Sequence, residues 1–483
     1  MDRTSRRNRP GGSQGMNAKE GMFSDIPVNI GVVYEGERIR KQTMHVELGG
    51  PQVKEKFEIL RVKDPEEIND GEVRILGPDL PDMAVGSSIP FGICVMAAGA
   101  KLEPDMESVM ERRIHDFCNW IEGFMHLNQR DTIWIRADKR AVAKGLTLAH
   151  IGTVMVRLFR SALPIIEKVS VTFITDPALV HERYKKVLAI YEERDARTRG
   201  MTDDDVDVFY GCSLCQSFAP SHVCVITPER YANCGAISWL DGRAAARVDP
   251  KGPIYEIPKG ECIDHEAGEY AGVNEVVKEK SLSDVTRVQL YTAFGYPHTS
   301  CGCFECTTFY VPECDGLGIV NRDFRGTTPT GLTFGSIADS TGGGRQVDGF
   351  HGLSFEYMRS PKFLRASGGW ERIIWMPSGV REKLREYIPF GLYDKIATEH
   401  DAGTVEELKS FIHSHHHPIL SRTALIEKEE EKSGGISTGD TDSSLRAAIN
   451  STGRNTGVTI TFRDVRISAD RIFVRKGGNP GGR

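Results

Sequence analysis

Nine of the chain's 11 cysteines lie between Cys212 and Cys314. This clustering constrains the fold more than any other feature, because thiols gathered in one short stretch act as metal ligands or redox groups only if their loops converge. An odd cysteine count in a chain of 483 residues, with no apolar core behind the basic N-terminus to make a secretory signal, predicts a reducing, cytoplasmic setting rather than a disulfide framework. A composition of 39% hydrophobic and 27% charged residues is that of a globular protein, and a formal charge of -6 argues against a nucleic-acid surface spread over the chain. The longest apolar candidate, residues 89–100, falls short of the roughly 18 residues a membrane span needs.

At roughly 150 residues per domain the length predicts about three folded units. Residues 1–21, where Arg3, Arg6, Arg7 and Arg9 interleave with Gly, Ser and Asn, read as a disordered tail rather than a nucleic-acid grip. Residues 22–200 read as an α/β domain with a parallel sheet. Strands are expected at 28–33, 56–62, 92–98, 132–137 and 169–175. Helices are expected through Met106, Met110, Ile114, Phe117, Ile121 and Phe124, over 141–163, and after Asp176 and Pro177 as N-cap and first-turn proline. Residues 201–420, with short strands, many glycines and most of the cysteines, read as an α+β metal-cluster domain. A polar, acidic linker (421–455) and a small C-terminal β module (456–478) follow.

Cys212, Cys215, Cys224 and Cys234 are separated by two, eight and nine residues. Four thiolates satisfy an iron–sulfur cubane, and a two-residue gap lets two of them reach adjacent corners. Zinc also takes four thiolates but usually from two CxxC knuckles, and only one is present. A thioredoxin-like CxxC would leave Cys224 and Cys234 idle. The spacing therefore favours iron–sulfur over zinc. In Cys301-Gly302-Cys303 both sulfurs and the amide nitrogens of Gly302 and Cys303 can lie in one plane, closing one six-membered and two five-membered chelate rings. Such a plane suits Ni(II) or Cu(II). Glycine in the middle lets the backbone approach the metal. Alone, such a tripeptide is more often an ordinary loop; four further cysteines in the same domain favour the metal reading.

Residues 211–235, GCSLCQSFAPSHVCVITPERYANCG, with residues 300–306, SCGCFEC, resemble the nickel domain of the acetyl-CoA synthase family, most closely the β subunit of the archaeal acetyl-CoA decarbonylase/synthase complex. The similarity runs from about Met22 to Leu420. It implies a 4Fe–4S cubane on Cys212, Cys215, Cys224 and Cys234. A proximal nickel would be held by Cys215, Cys301 and Cys303, and a distal nickel by Cys301, Cys303 and the amides of Gly302 and Cys303. It further implies an anaerobic archaeal acyltransferase that joins CO, delivered by partner CO dehydrogenase subunits, to a methyl group from a corrinoid iron–sulfur protein, and passes the acetyl to CoA. Phe218 matches a family aromatic beside the open nickel face; otherwise it is a core aromatic. The rival reading is a non-catalytic iron–sulfur electron carrier or redox sensor, with a zinc-stabilised module third.

The chain has no P-loop and no GxGxxG. In related enzymes a tryptophan and an arginine two residues apart have been linked to CoA, which makes Trp134 and Arg136 the candidates, with Lys139 and Arg140 nearby. The glycine-rich residues 341–352 are expected to be a turn beside a buried site. His413, His415, His416 and His417 are expected at a solvated helix end, and Cys94, Cys118, Cys262, Cys306 and Cys314 as buried structural thiols. Relative to the bacterial enzymes the α/β domain begins almost at once, leaving the docking surface for the dehydrogenase unidentified; the C-terminal module is a candidate contact.

Overall fold

Apolar, β-branched and aromatic residues at alternating positions shape the first strands: β1 (Met44–Gly49), β2 (Lys56–Val62), β3 (Val73–Leu76), β4 (Ser87–Ile89) and β5 (Phe91–Ala98). The computed structural model describes residues 21–129, 132–216 and 218–422. After β5 come α1 (Glu107–Asn119), β6 (Phe124–Gln129), β7 (Thr132–Asp138), α2 (Lys139–Ala143), α3 (Leu148–Ala162), β8 (Lys168–Ile174) and α4 (Pro177–Ala196). One sheet has the order β2-β5-β8-β3 and a second β4-β1-β7-β6. On β5, Phe91, Ile93, Val95 and Ala97 join the large core containing α1 and α3, whereas Cys94 turns to the opposite face, where Phe57, Ile59, Val180, Val187 and Tyr191 pack under α4. The first sheet is thus covered by helices on both faces, as expected.

Both sheets contain parallel pairs (β2 with β5, β3 with β8, β1 with β4), but β5 with β8, β1 with β7 and β6 with β7 run antiparallel. Residues 28–33 supply only an isolated bridge, Ile30 with Ile121, before a 3-10 turn at Val32–Tyr34. The periodic helix stops at Asn119, whose side chain donates to the carbonyls of His115 and His126 and accepts from the His126 amide, so Ile121 and Phe124 lie beyond it. The expected helix over 141–163 is two helices. Gly145, at φ +99°, takes a left-handed conformation that ends α2, and Thr147 caps α3 by accepting from His150 N. Asp176 caps α4, accepting from the amides of Ala178 and Leu179.

The later strands are short: β9 (Val208–Cys212), β10 (Cys224–Ile226), β11 (Ile254–Pro258), β12 (Cys262–Asp264), β13 (Glu269–Tyr270), β14 (Cys306–Val311), β15 (Gly316–Asn321), β16 (Gly352–Leu353) and β17 (Ile373–Trp375). They form the sheets β10-β9-β11, β12-β13 and β16-β14-β15-β17. Helices α5 (Trp239–Val248), α6 (Ala271–Lys280), α7 (Phe334–Thr341), α8 (Phe355–Arg359), α9 (Ser378–Lys383) and α10 (Val405–Ser414) lie between and after them. All described residues belong to one of two compact units, residues 1–424. Most of the N-terminal tail, most of the linker and the whole C-terminal β module lie outside the described residues. Among the described residues no helix is long and apolar enough to cross a membrane.

Two expectations about side chains need correction. Cys262 is exposed, because β12 and its single partner strand leave it uncovered, whereas Cys118, Cys306 and Cys314 are buried and Cys94 half-buried. His413, His415 and His416 are exposed at the end of α10, but His417 is buried with its Nε2 3.1 Å from the Ile373 carbonyl. The chain turns inward there through His416, at φ +50°.

Candidate metal centre

Strand pairing makes the first half of the centre. Cys212 ends β9 and Cys224 begins β10, and the antiparallel register sets them directly opposite each other. Cys234 packs with both in a small buried cluster that includes Tyr210, Ile226 and Trp239. Its loop turns at Gly235, which sits at φ +72° against the Glu305 carboxylate. Cys215 follows β9 in a tight turn, where the amides of Phe218 and Ala219 donate to its carbonyl at 3.2 and 3.1 Å.

The second half is the Cys301-Gly302-Cys303 loop ahead of β14. Gly302 is at φ +120°, a conformation that favours glycine, and open space surrounds the position of an added Cβ. The Cys303 amide lies 3.1 Å from Cys301 Sγ, so sulfur and nitrogen face the same space. The glycine-rich turn holds the loop from behind: Gly343 N and Gly344 N donate to the carbonyls of Cys301 and Ser300 at 3.3 and 2.8 Å. Arg322 Nη2 reaches the Gly302 carbonyl at 3.2 Å. Asn233, beside Cys234, donates to Thr299 O and Ser300 Oγ at 3.3 and 3.4 Å, tying the two cysteine loops together.

Together these elements bring the thiols of Cys215, Cys301 and Cys303 within 4.8 Å of one another. All 11 cysteines are free. Burial pushes the thiols of Cys212, Cys224 and Cys234 up, Cys234 to about 11, and the other two triad thiols together with burial push Cys215 up. Cys303 is held well below the usual thiol range by hydrogen bonds from Cys215 and Cys301, offset in part by burial and aided by Arg112 and His115. A cluster of soft donors, mostly protonated until a metal displaces their protons, with one thiolate already favoured, fits a thiophilic metal.

Several residues that the cysteine spacing does not reveal surround the thiols. Arg112, on α1, places Nη2 3.8 Å from Cys215 Sγ. Behind it runs a buried chain in which Glu58 meets His126 Nε2, and His126 Nδ1 lies 3.0 Å from His115 Nδ1. On the other side Arg230, fully buried, donates to Val225 O at 3.1 Å and Asn233 Oδ1 at 2.9 Å. Glu58 and His126 stand as isolated polar residues between apolar neighbours in sequence, whereas Arg112, between Glu111 and Arg113, carries no local signal, and only its proximity to Cys234 singles out Arg230.

Trp134 lines a cavity of about 550 Å³ that also borders Cys301 and Gly302 and is ringed by Arg38, Arg322, Arg325 and Arg345. Arg136 lies behind it, buried. Its Nε donates to Glu47 at 2.9 Å and its Nη1 to Ile39 O at 2.8 Å, and its guanidinium stacks 4.4 Å over the Trp134 ring. These contacts tie Arg136 to Glu47, to the Ile39 carbonyl and to the Trp134 ring that faces the cavity. Lys139 and Arg140 sit on α2, Lys139 donating to Gln42 O at 3.0 Å. Phe218 is 38% exposed, near Gly36.

Mixed α/β architecture around a converging set of free thiols defines a thiolate metal-binding protein. Residues 26–180 match the family described as the CO dehydrogenase/acetyl-CoA synthase complex beta subunit, and residues 191–426 match the family of the C-terminal region of the ACS/CODH beta subunit. The chain is 53% identical over 411 residues to the acetyl-CoA decarbonylase/synthase complex subunit beta of Methanothermobacter thermautotrophicus, covering 85% of this chain and 89% of that one. It is also 53% identical over 410 residues to subunit beta 2 of Methanocaldococcus jannaschii, covering 85% and 86%. A solved C-terminal domain of an acetyl-Coenzyme A synthase alpha subunit is 37% identical over 25% of this chain and 96% of its own, with a TM-score of 0.23. The chain belongs to the family of acetyl-CoA decarbonylase/synthase complex beta subunits.

Proposed function

We propose that this chain is the acetyl-CoA synthase/decarbonylase subunit of its complex, an acyltransferase that reversibly assembles acetyl-CoA from CO, a methyl group and CoA. The observation that carries the reading is the convergence of Cys215, Cys301 and Cys303 beside the arginine-ringed cavity, in a chain of this family. Cys212, Cys215, Cys224 and Cys234 would hold a 4Fe–4S cubane. Cys215, Cys301 and Cys303 would hold one nickel, and the sulfurs of Cys301 and Cys303 with the amides of Gly302 and Cys303 a second. When bound, the nickel supplies a soft, low-valent centre at which methyl and carbonyl carbons are joined and handed to the CoA sulfur.

The protein's own groups do the rest. Arg38, Arg325 and Arg345, exposed at the cavity, supply charge for the phosphates of CoA, and Trp134 supplies an apolar wall held in place by Glu47 and Arg136. CoA enters as a thiol and leaves as a thioester, so one proton must depart to solvent for each turnover. The methyl donor is a corrinoid iron–sulfur protein and the CO source is the dehydrogenase part of the complex, and Phe218, three residues past Cys215 and 38% exposed, would pack beside the open nickel face. An electron carrier or redox sensor would have no use for this cavity.

Metal analysis of anaerobically purified protein tests the reading. About four iron and two nickel per chain are expected for a loaded centre, whereas iron without nickel would support the electron carrier and zinc alone a structural module. Cys301→Ser and Cys303→Ser should each abolish nickel-dependent acetyl transfer while retaining the cubane's visible absorption; full activity in either refutes the assignment.

A further inference from the structure

We infer that Arg112 is a positioning residue for the metal centre, a buried cation that hydrogen-bonds to the Cys215 sulfur and raises the reduction potential of the cluster that this sulfur binds. The inference rests on the metal reading above and goes beyond its ligand set.

Helix α1 turns almost no face to solvent. Met110, Ile114 and Phe117 enter the core, and Glu107 and Glu111 accept from Arg194 at 2.8 and 2.9 Å. The remaining side carries Arg112 toward the thiols, with Asp116 one turn further on. Arg112 is 4% exposed. Its Nη2 is 3.8 Å from Cys215 Sγ, and among the described residues its Nη1 has no hydrogen-bond acceptor, the carboxylate oxygen Asp116 Oδ1 lying 3.9 Å away. Asp116 is itself shared with Arg113 at 2.9 Å.

A guanidinium buried with one distant, shared counter-ion carries a large desolvation penalty unless negative charge lies beside it. Thiolates on a metal provide that charge, and Cys215 is the residue expected to join the two parts of the centre. Hydrogen bonds and positive charge at a ligand sulfur withdraw electron density from the metal and favour its reduced state. Arg112 comes from a helix over 100 residues before Cys215, so the same contact ties α1 to the cysteine loops.

The test uses the full chain loaded with metal under anaerobic conditions, with iron and nickel counted first and the midpoint potential read by spectroelectrochemical titration. Arg112→Met should retain its metals and titrate at a more negative potential, the reduced-to-oxidised ratio at fixed potential falling tenfold or more, which is about 59 mV for one electron. Arg112→Lys, which keeps the charge, should recover most of the shift. Should Arg112→Met fail to accumulate loaded protein, Asp116→Asn carries the test: removing the guanidinium's acidic partner should move the potential in the positive direction. An unchanged potential in fully loaded Arg112→Met, or in Asp116→Asn where that variant stands in, overturns the inference. Absence of nickel and iron from the wild-type protein would instead overturn the metal reading itself.

Discussion

Gly235 follows Cys234 and gives the sharpest test of how the backbone builds the metal centre. It sits at φ +72°, and a Cβ there would lie 2.2 Å from Glu305 Oε2. Alanine in that conformation costs about 1–2 kcal/mol. The displaced carboxylate also loses its bond from the Phe355 amide, 2.7 Å away, a charged hydrogen bond whose loss costs about 1.5–3 kcal/mol. Gly235→Ala should therefore destabilise the fold by about 2.5–5 kcal/mol. Because Glu305 N also donates to Asn233 O at 3.1 Å, the strain falls on the loop that carries Cys234, and iron content should drop with stability. The assay is urea unfolding of metal-free protein beside iron analysis of the reconstituted form. Asparagine, which tolerates the left-handed conformation but brings the same Cβ, should recover the backbone part only. A Gly235→Ala protein within about 0.5 kcal/mol of wild type and fully loaded with iron would refute the reasoning.

Acid should weaken the fold for a definable reason. Burial holds His222 and His351 at about 3 and His417 at about 4. In the unfolded chain each takes a proton below roughly pH 6.5, so the unfolded state binds more protons, and stability is full above about pH 6.5 and lost as pH falls toward 4. The loss is of order 3 kcal/mol per group at the bottom of that window, and equal denaturation midpoints at pH 8 and pH 5 would contradict it. Arg325, exposed and 5.8 Å over the Trp134 ring, should matter for CoA but not for metal. Arg325→Ala should weaken CoA binding about fivefold, the worth of about 1 kcal/mol for an exposed ionic contact, measured by quenching of Trp134 fluorescence with iron and nickel content unchanged. Unaltered quenching would remove Arg325 from the CoA site.

Where local chemistry dictates structure, the sequence was legible. The proline after Asp176 and the N-cap that precedes it start α4 as expected, because both act within one helical turn. The apolar run over residues 92–98 correctly marks a buried strand. The rhythm through Met106, Met110 and Ile114 marks α1, yet it overran into Ile121 and Phe124, which are apolar for a different reason: both pack in the same core from beyond the helix end. Strand direction was less legible, since β5 pairs parallel with β2 on one side and antiparallel with β8 on the other. The burial of residues on both faces, which suggests parallel pairing, results equally from helices on either side of a mixed sheet.

The sequence by itself determined the kinds of donor atom and their local spacing: a CxxC, a Cys-Gly-Cys whose glycine alone tolerates φ +120°, and cysteines too many and too close together for an ordinary core. These are properties of three or four consecutive residues, fixed by bond lengths and allowed dihedrals. Tertiary structure decided what surrounds the thiols. It set Cys212 opposite Cys224, turned Arg136 inward to buttress Trp134, gathered Arg38 and Arg345 at one cavity, and carried Arg112 across more than 100 residues to Cys215. None of these follows from local pattern, because a charged side chain has the same sequence signature whether it faces water or a buried sulfur. Only the packing of α1 against the cysteine loops distinguishes the two.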